Sequence, residues 1–142
     1  MNIINDLVFG KMEYEHCWQK KEDIFLFGKK YKVFIVANAY TGQEISNAQR
    51  ESYKWFGNSE NWNNGNIEEA LKKYLKDYYS YNDDDCNKIF NDNVDSMFQI
   101  TTVLIQQEGN VLLLFEFLLD EENGLAVQIY PKIDVGGQDL FF

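Results

Sequence analysis

The 142-residue chain has the length of one domain. Its residues are 45% hydrophobic and 16% aromatic, which is enough to build a core and excludes a disordered chain, since disordered chains are poor in aromatic residues. The longest apolar run, 111–119, is interrupted by Glu116 and is far shorter than the roughly 20 residues of a membrane-spanning helix. A net charge of −10 opposes binding to nucleic acid and to anionic lipid.

Alternating apolar residues predict three strands in the first 40 residues. Residues 7–14 form a strand or the edge of a hairpin, and 24–27 is a short apolar run that ends at Gly28. In residues 31–40, apolar side chains alternate along the strand and occur on both of its faces. We therefore predict a central strand that is covered on both faces.

The hydrophobic period then changes from two to 3.6, which predicts two helices. Ser46 or Asn47 caps the first, which runs to about Phe56. Asn66 caps the second, with Glu69 three residues later in a pattern close to a capping box. Within the first helix, Gln49 is either an exposed polar residue or a buried hydrogen-bonding one, and the pattern does not distinguish these.

The remaining elements are a polar loop at 81–93, a short helix within 89–98, and strands at 98–106, 111–119, 125–130 and 133–135. Three strands, two or three helices and then three or four strands indicate a single α+β domain over 1–142. We predict a mainly antiparallel sheet of about six to seven strands with the helices packed on it. Whether Leu140, Phe141 and Phe142 are packed or exposed stays open.

The negative charge is concentrated in the last 60 residues. Residues 1–82 contain 11 basic and 11 acidic side chains, whereas 83–142 contain 2 lysines and 12 acidic side chains. A field of this kind steers basic partners towards the protein. The alternative interpretation is an acidic surface that only keeps the protein in solution.

Residue types for cofactor or metal chemistry are sparse. His16 is the only histidine, and its neighbour Cys17 would point the other way in a strand. The acidic run that begins at Asp83 lacks the central glycine and closing glutamate of a calcium loop. We predict no cofactor, no metal site and no catalytic residue.

Residues 1–10 contain no basic segment of the kind that opens a signal peptide, so we expect a cytoplasmic protein. The two cysteines form no CxxC motif, and we expect reduced thiols.

Two acidic loops are the candidate partner-binding residues, because a partner with a positive surface would meet them first. Aromatic side chains near them would supply apolar anchors. Trp62 is either a lid on the core or an exposed anchor, and Tyr79 and Tyr81 lie off the main helical stripe. The full set is Asp83, Asp84, Asp85, Asp92, Asp95, Asp120, Glu121, Glu122, Tyr79, Tyr81 and Trp62.

Several short motifs resemble a group of small bacterial domains of unknown function. They are Trp18 followed by DIFLFG, then YKVFIVANAY, ISNAQRESYKWF, IEEALKKYLKDYY, DEENGLAV at 120–127 and VGGQD. Members of that group are often encoded beside polymorphic toxins, and the resemblance implies an immunity protein. Asn123 stands where relatives often carry histidine, so no role of that histidine is transferred, and the group supplies no catalytic residues.

The favoured hypothesis is an inhibitor that neutralises a basic, nuclease-like toxin through its acidic C-terminal surface, without nucleic-acid or membrane partners. One alternative is a hydrolase or metal-assisted enzyme that uses Asp120, Glu121 and Glu122, with His16 as a further group. Another is a housekeeping protein-interaction domain with no toxin partner.

Overall fold

One sheet of eight strands follows the order of the chain in the computed structural model, which describes residues 2–39, 43–63 and 65–142. The four strands of its first half are β1 (Asn2–Asp6), β2 (Gly10–Tyr14), β3 (Trp18–Leu26) and β4 (Lys29–Ala37). Those of its second half are β5 (Phe98–Ile105), β6 (Val111–Phe117), β7 (Leu125–Tyr130) and β8 (Asp134–Gly136). Tyr40, at the end of the third predicted strand, lies outside the described residues.

Three helices connect β4 to β5, the one parallel pair in an otherwise antiparallel sheet. They are α1 (Asn47–Gly57), α2 (Asn66–Tyr79) and α3 (Asp83–Asp92). Parallel neighbours need a long crossover connection, so the helices end up together on one face. The α+β class is confirmed, and the sheet has eight strands rather than six or seven. No helix in the described part of the chain is long and apolar enough to cross a membrane.

The core lies between the helices and one face of the sheet. Its buried strand residues include Val33, Ile35, Val103, Leu113 and Phe115, and its buried helix residues include Phe56, Leu71, Leu75 and Cys86. On the other face of the sheet, the side chains of Phe34 on β4 and Phe25 on β3 are 41% and 63% exposed. The prediction that the central strand is covered on both faces was therefore wrong for this half of the sheet.

The extra strand comes from a turn that the sequence pattern did not locate. Residues 7–14 do not form one strand, because the chain reverses at 7–9 and pairs β1 with β2. The Asp6 carboxylate accepts hydrogen bonds from the backbone N–H groups of Val8 and Phe9, each at 3.0 Å, and closes this turn. Leu7 at its tip is fully exposed.

The polar stretch predicted as a loop at 81–93 is helical. Asn82 Oδ1 accepts from the Asp85 N–H at 2.7 Å, and the Asn82 N–H donates to Asp85 Oδ2 at 3.4 Å, which makes a capping box. Asp83, Asp84 and Asp85 occupy the first turn, where the helix dipole favours negative charge.

The N-terminus of α1 agrees with the sequence prediction, and that of α2 differs. Ser46 caps α1 in a capping box with Gln49, as one of the two predicted caps. In α2, Asn66 is the first helical residue and Gly65, with φ of 88°, occupies the cap position. Glycine adopts this left-handed conformation without steric cost. Because Gly65 has no side chain, it supplies no side-chain hydrogen bond to the first turn of α2.

Removing the Asp6 side chain should destabilise the fold by about 2 to 3 kcal/mol, because charge-assisted hydrogen bonds contribute more than neutral ones. The almost completely buried carboxylate contacts Arg50 Nη2 at 2.7 Å and Nε at 2.8 Å, besides the two turn amides. Burial acts to raise the pKa of Asp6, but the bonds from Arg50, Phe9 and Val8 hold this pKa below its ordinary value.

The sign of this pKa shift fixes the pH dependence. A lowered folded-state pKa stabilises the fold above the unfolded-state pKa of about 4, and the contribution is lost as the pH falls further through the folded-state pKa. Urea titrations of the wild type and Asp6→Ala should therefore differ most at neutral pH, and the difference should narrow as the pH falls below about 4. Asp23→Ala, at an exposed ion pair with Lys30, should stay within about 0.5 kcal/mol of wild type. A constant difference between wild type and Asp6→Ala across this pH range would contradict the assignment.

Candidate functional site

The first acidic segment is displayed on α3. Lys76 forms an ion pair with Asp83, and this hydrogen bond and charge lower the pKa of the Asp83 carboxyl. Asp84 and Asp85 are exposed, and neither forms an ion pair with a described lysine or arginine. Lys76 therefore largely balances the charge of Asp83, whereas the carboxylates of Asp84 and Asp85 face solvent.

A concavity of about 480 Å³ lies beside the C-terminal part of α3. Asp85 and Asp92 stand on its rim together with Lys88, and Tyr81, Ile89 and Met97 supply its apolar surface. Asp85, Lys88 and Asp92 lie one helical turn apart, so the lysine sits between the two carboxylates.

A second concavity, of about 380 Å³, adjoins the first and shares Ser96 and Met97 with it. Its acidic lining residues are Asp95, Glu116 and Glu121, and Leu118 is an exposed apolar residue beside them. The Leu118 N–H donates to the Met97 carbonyl at 3.0 Å and holds the β6–β7 turn against the segment before β5. We call the two concavities together the acidic groove.

One of the carboxylates in the acidic groove already has partners within the chain. Tyr31 Oη donates to Asp95 Oδ1 at 2.6 Å, and Lys29 Nζ lies 3.4 Å from Asp95 Oδ2. Burial, and then this hydrogen bond, raise the pKa of the Tyr31 hydroxyl, which stays a donor at neutral pH. Asp95 is therefore a residue that ties β4 to the groove, rather than a free charge for a partner.

The second acidic segment forms the β6–β7 turn. Asn123 donates to both oxygens of Asp120, from its backbone N–H and its side-chain amide, each at 3.2 Å. Glu121 and Glu122 are exposed, and Glu121 is the one that lines the groove. The structure thus brings one carboxylate of this turn together with Asp85 and Asp92, while Asp120 and Glu122 lie outside the groove lining.

The three aromatic candidates have different environments. Tyr81 lines the groove and is half-buried. Tyr79 packs edge-on against Phe117 with ring centroids 5.6 Å apart, and burial, then the nearby Asp120, raises the pKa of its hydroxyl. Tyr78, the neighbour of Tyr79 and not one of the candidates, is exposed.

Trp62 belongs to the core, so it must be removed from the partner-binding set. Its side chain is 5% exposed and stacks on Phe56 with ring centroids 4.8 Å apart and an interplanar angle of 7°. Its indole N–H donates to the Phe56 carbonyl at 2.8 Å. The loop after α1 folds back over this helix and closes the end of the core.

The groups of the hydrolase hypothesis do not converge. His16 is exposed, with φ of 70°, in the β2–β3 turn, at the end of the sheet where β4 finishes. The β6–β7 turn lies at the opposite end, because Phe117 pairs with Phe98 at the start of β5, which runs parallel to β4. No three His, Cys, Asp or Glu side chains of the described residues are arranged to hold a metal ion.

Several residues that shape the acidic groove were not among the candidates predicted from the sequence. Ile89 and Met97 lie in a segment whose structure the pattern left ambiguous, although the spacing of Cys86, Ile89 and Phe90 is helical. Glu116 was treated only as an interruption of an apolar run. Its place in β6, between two buried phenylalanines, is the signal that it faces the other side of the sheet.

The C-terminal residues, whose environment the sequence left open, differ from one another. Leu140 and Phe142 are exposed and Phe141 is partly buried. Gln106 Nε2 donates to the Phe141 carbonyl at 2.9 Å, and Gln138 Nε2 donates to the Phe115 carbonyl at 3.1 Å. Residues 137–142 are therefore attached to the sheet by side-chain hydrogen bonds to the backbone.

Residues 8–142, and therefore nearly the whole fold described above, match a family model. No significant match was found among curated proteins or among solved structures. The matched region includes β2 to β8, all three helices and every residue of the acidic groove. The chain thus belongs to the DUF6985 family, a domain of unknown function.

Proposed function

We propose that this protein binds and neutralises a basic protein, of the kind represented by a nuclease toxin, through the acidic groove. The observation that carries the proposal is the arrangement of Asp85, Asp92 and Glu121 around an apolar surface that includes Ile89 and Met97. These carboxylates come from two segments that are about 30 positions apart in the chain. Asp85 and Asp92 line one concavity, and Glu121 lines the adjoining one, which shares Ser96 and Met97 with it.

The groove has the chemistry to accept lysine and arginine side chains. Their aliphatic stems bury against apolar surface while the charged ends remain near carboxylates. Nuclease surfaces are positive because they hold phosphate, so an inhibitor with carboxylates in the corresponding positions competes with the nucleic acid. Complementary charge also raises the association rate, which suits an inhibitor that must act on a newly formed toxin.

The structure narrows the set of residues on which this proposal depends. Asp83 and Asp95 have lysine partners, and Trp62 is in the core. Asp85, Asp92, Glu116 and Glu121 line the groove and form no ion pair with the lysines or arginines of the described residues. The immunity role, the bacterial source and a cytoplasmic location remain parts of the proposal, supported by the charge pattern and the resemblance of the motifs.

The test is calorimetric titration with the purified product of the neighbouring gene. We expect micromolar or tighter binding at about 0.15 M salt and markedly weaker binding at 1 M, where the Debye length falls to about 3 Å. The triple variant Asp85→Asn, Asp92→Asn, Glu121→Gln should bind at least about 30-fold more weakly, since close charge pairs at an interface contribute about 1.5 kcal/mol or more.

A variant with the same change in net charge separates the groove from the overall field. Glu13→Gln, Glu108→Gln, Asp134→Asn removes three exposed carboxylates that do not line the groove, and its affinity should stay within about threefold of wild type. Equal losses in the two triple variants would reduce the proposal to a non-specific charge effect. No heat of binding with the wild type at any salt concentration would reject the proposed partner.

The structure supports the hydrolase and housekeeping hypotheses less than the inhibitor hypothesis. The hydrolase needs Asp120, Glu121 and Glu122 to converge in a pocket, and the β6–β7 turn directs two of them into solvent. The expectation that the protein is not an enzyme stays a prediction. A housekeeping interaction domain shares the groove but not the partner, and the titration with the neighbouring gene product distinguishes the two.

A further inference from the structure

Strand β3 is paired on one side along its whole length and on the other side only at its start. All nine of its residues pair with β4. On the opposite side, among the described residues, it pairs with β2 only at Trp18 and Gln19. We call the side of residues 21–25 that faces away from β4 the free edge of β3.

The hairpin of β1 and β2 is held away from the free edge by contacts with α1. Asp6 forms its ion pair with Arg50, and the Phe9 ring stacks on Tyr53 with ring centroids 4.3 Å apart. The side chains of Asp6 and Phe9 are almost completely buried, so β2 cannot close onto the free edge without breaking these contacts. The separation of β2 from β3 is therefore a part of the fold.

The backbone groups of alternate residues point out of the free edge. The β3–β4 turn has two residues, 27–28, both with positive φ, and the pair that flanks such a turn exchanges both hydrogen bonds. Counting back from this pair, the N–H and C=O groups of Lys21, Asp23 and Phe25 face away from β4. Asn63 agrees with this direction, because its Nδ2 donates to the Phe25 carbonyl at 3.0 Å.

The free edge borders a concavity of about 420 Å³, between β3 and the C-terminal part of α1. The apolar lining of this concavity includes Val8, Ile24, Tyr53, Phe56 and Trp62. Glu22, which also lines it, already accepts a hydrogen bond from Tyr53 Oη at 2.6 Å. A ligand in this concavity would therefore meet an apolar wall on one side and the backbone of β3 on the other.

We propose that the free edge of β3 is a site of strand addition, at which an extended segment of another protein pairs with residues 21–25. Main-chain hydrogen bonds to Lys21, Asp23 and Phe25 would supply the binding, as in β-augmentation. Successive side chains of a strand point to opposite faces, so every second side chain of the added segment would face the apolar wall. The segment that fits is one in which apolar and polar residues alternate.

A strand of different sequence fits the free edge better than a second copy of this chain does. Antiparallel pairing of two free edges about their centre would place Asp23 opposite Asp23, and like charges in opposite positions are destabilising. Each copy also carries a net charge of −10, which opposes self-association. The concavity shares no lining residue with the acidic groove, so this inference stands independently of the proposed function.

Amide hydrogen exchange of the free protein, followed by NMR, tests the direction of the backbone groups. The N–H groups of Lys21, Asp23 and Phe25 should exchange at least about tenfold faster than those of Glu22 and Ile24, which bond to β4. Equal protection of the two sets would show that the edge is already paired and would overturn the proposal.

Binding is tested with a library of displayed seven-residue peptides, selected on the full chain and then measured singly by fluorescence polarisation. The enriched peptides should alternate apolar and polar residues. Asp23→Pro removes one outward N–H at a position where an edge strand tolerates proline, and it should weaken their binding at least about tenfold. The matched control Asp23→Ala keeps the N–H and removes only an exposed side chain, so its affinity should stay within about threefold of wild type.

Circular dichroism checks that both variants are folded. A readout that needs no variant is the exchange of the Asp23 and Phe25 amides in the wild type, which should slow when an enriched peptide is bound. Enriched peptides without the alternation, or peptides that bind Asp23→Pro as tightly as wild type, overturn the proposal. A wild-type dimer in sedimentation velocity that Asp23→Pro dissociates would also overturn it, because a second copy would then occupy the edge.

Discussion

Replacement of Gln49 by alanine should lower the free energy of unfolding by about 3 to 5 kcal/mol, measured by urea titration at neutral pH. The side chain is fully buried and makes three hydrogen bonds. Its Nε2 donates to the carbonyls of Asn38 at 2.7 Å and Ile105 at 3.0 Å, and its Oε1 accepts from the Ser46 N–H at 2.8 Å.

The large loss of stability expected for Gln49→Ala comes from the backbone groups that lose a hydrogen-bond partner. Asn38 and Ile105 follow or end the two parallel strands β4 and β5, so Gln49 joins these strands to the start of α1. Without it, the Asn38 carbonyl and the Ser46 N–H lose their partner, and the Ile105 carbonyl keeps only its bond from the Asn38 N–H. Each unsatisfied buried group costs about 1 to 3 kcal/mol. Total stabilities of domains are about 5 to 15 kcal/mol, so this variant should be close to unfolding.

Gln49→Glu keeps the size of the side chain and replaces the amide group, which donates two hydrogen bonds, by a carboxylate, which only accepts. A carboxylate cannot donate to the two carbonyls, and its burial without a cation is unfavourable, so this variant should be at least as unstable as Gln49→Ala at neutral pH. Gln99→Ala, on an exposed position of β5, is the matched control and should remain within about 0.5 kcal/mol of wild type. A Gln49→Ala protein with wild-type stability would show that these bonds are replaced by water.

Replacement of Trp62 by alanine should cost about 3 to 5 kcal/mol, the range for large aromatic residues in cores, and lower Tm by about 10 °C. The indole loses its stacking on Phe56 and its hydrogen bond to the Phe56 carbonyl. Trp62→Phe retains an aromatic ring at the site and should lose much less, about 1 to 2 kcal/mol. Differential scanning calorimetry of the three proteins gives this comparison directly.

The same variants separate the two roles that the sequence allowed for Trp62. A core residue changes stability first, whereas an exposed anchor changes affinity with little effect on Tm. Tyr78→Ala serves as the control, because Tyr78 is exposed at the end of α2 and should shift Tm by no more than about 2 °C. If Trp62→Ala melted as the wild type does and bound its partner weakly, Trp62 would be an anchor.

The acidic groove shows how a compositional signal becomes a site. The sequence indicated an excess of carboxylates after residue 82, but it could not indicate which of them share a surface. Of the eight candidates, the structure balances Asp83 and Asp95 with lysines from α2 and β4. These lysines, Lys76 and Lys29, lie within residues 1–82, whose balanced composition gave no indication of their role.

The sequence by itself determined the features that depend on neighbouring residues. The N-cap and periodicity of α1, the existence of α2, the β5–β6 hairpin, β7 and the charge asymmetry were all predicted, because each follows from spacings within a few residues. The α3 helix was also encoded locally, by the Asn82 and Asp85 capping box, but the polar composition was interpreted as a loop.

Only the tertiary structure decided which distant residues meet. The parallel pairing of β4 with β5 places all three helices on one face, which leaves Phe25 and Phe34 exposed on the other. The contact between the Leu118 N–H and the Met97 carbonyl brings Glu121 to the groove beside α3. Periodicity reports which side of an element a residue occupies, whereas strand order and crossovers decide what lies opposite, because they arise from contacts between residues far apart in the chain.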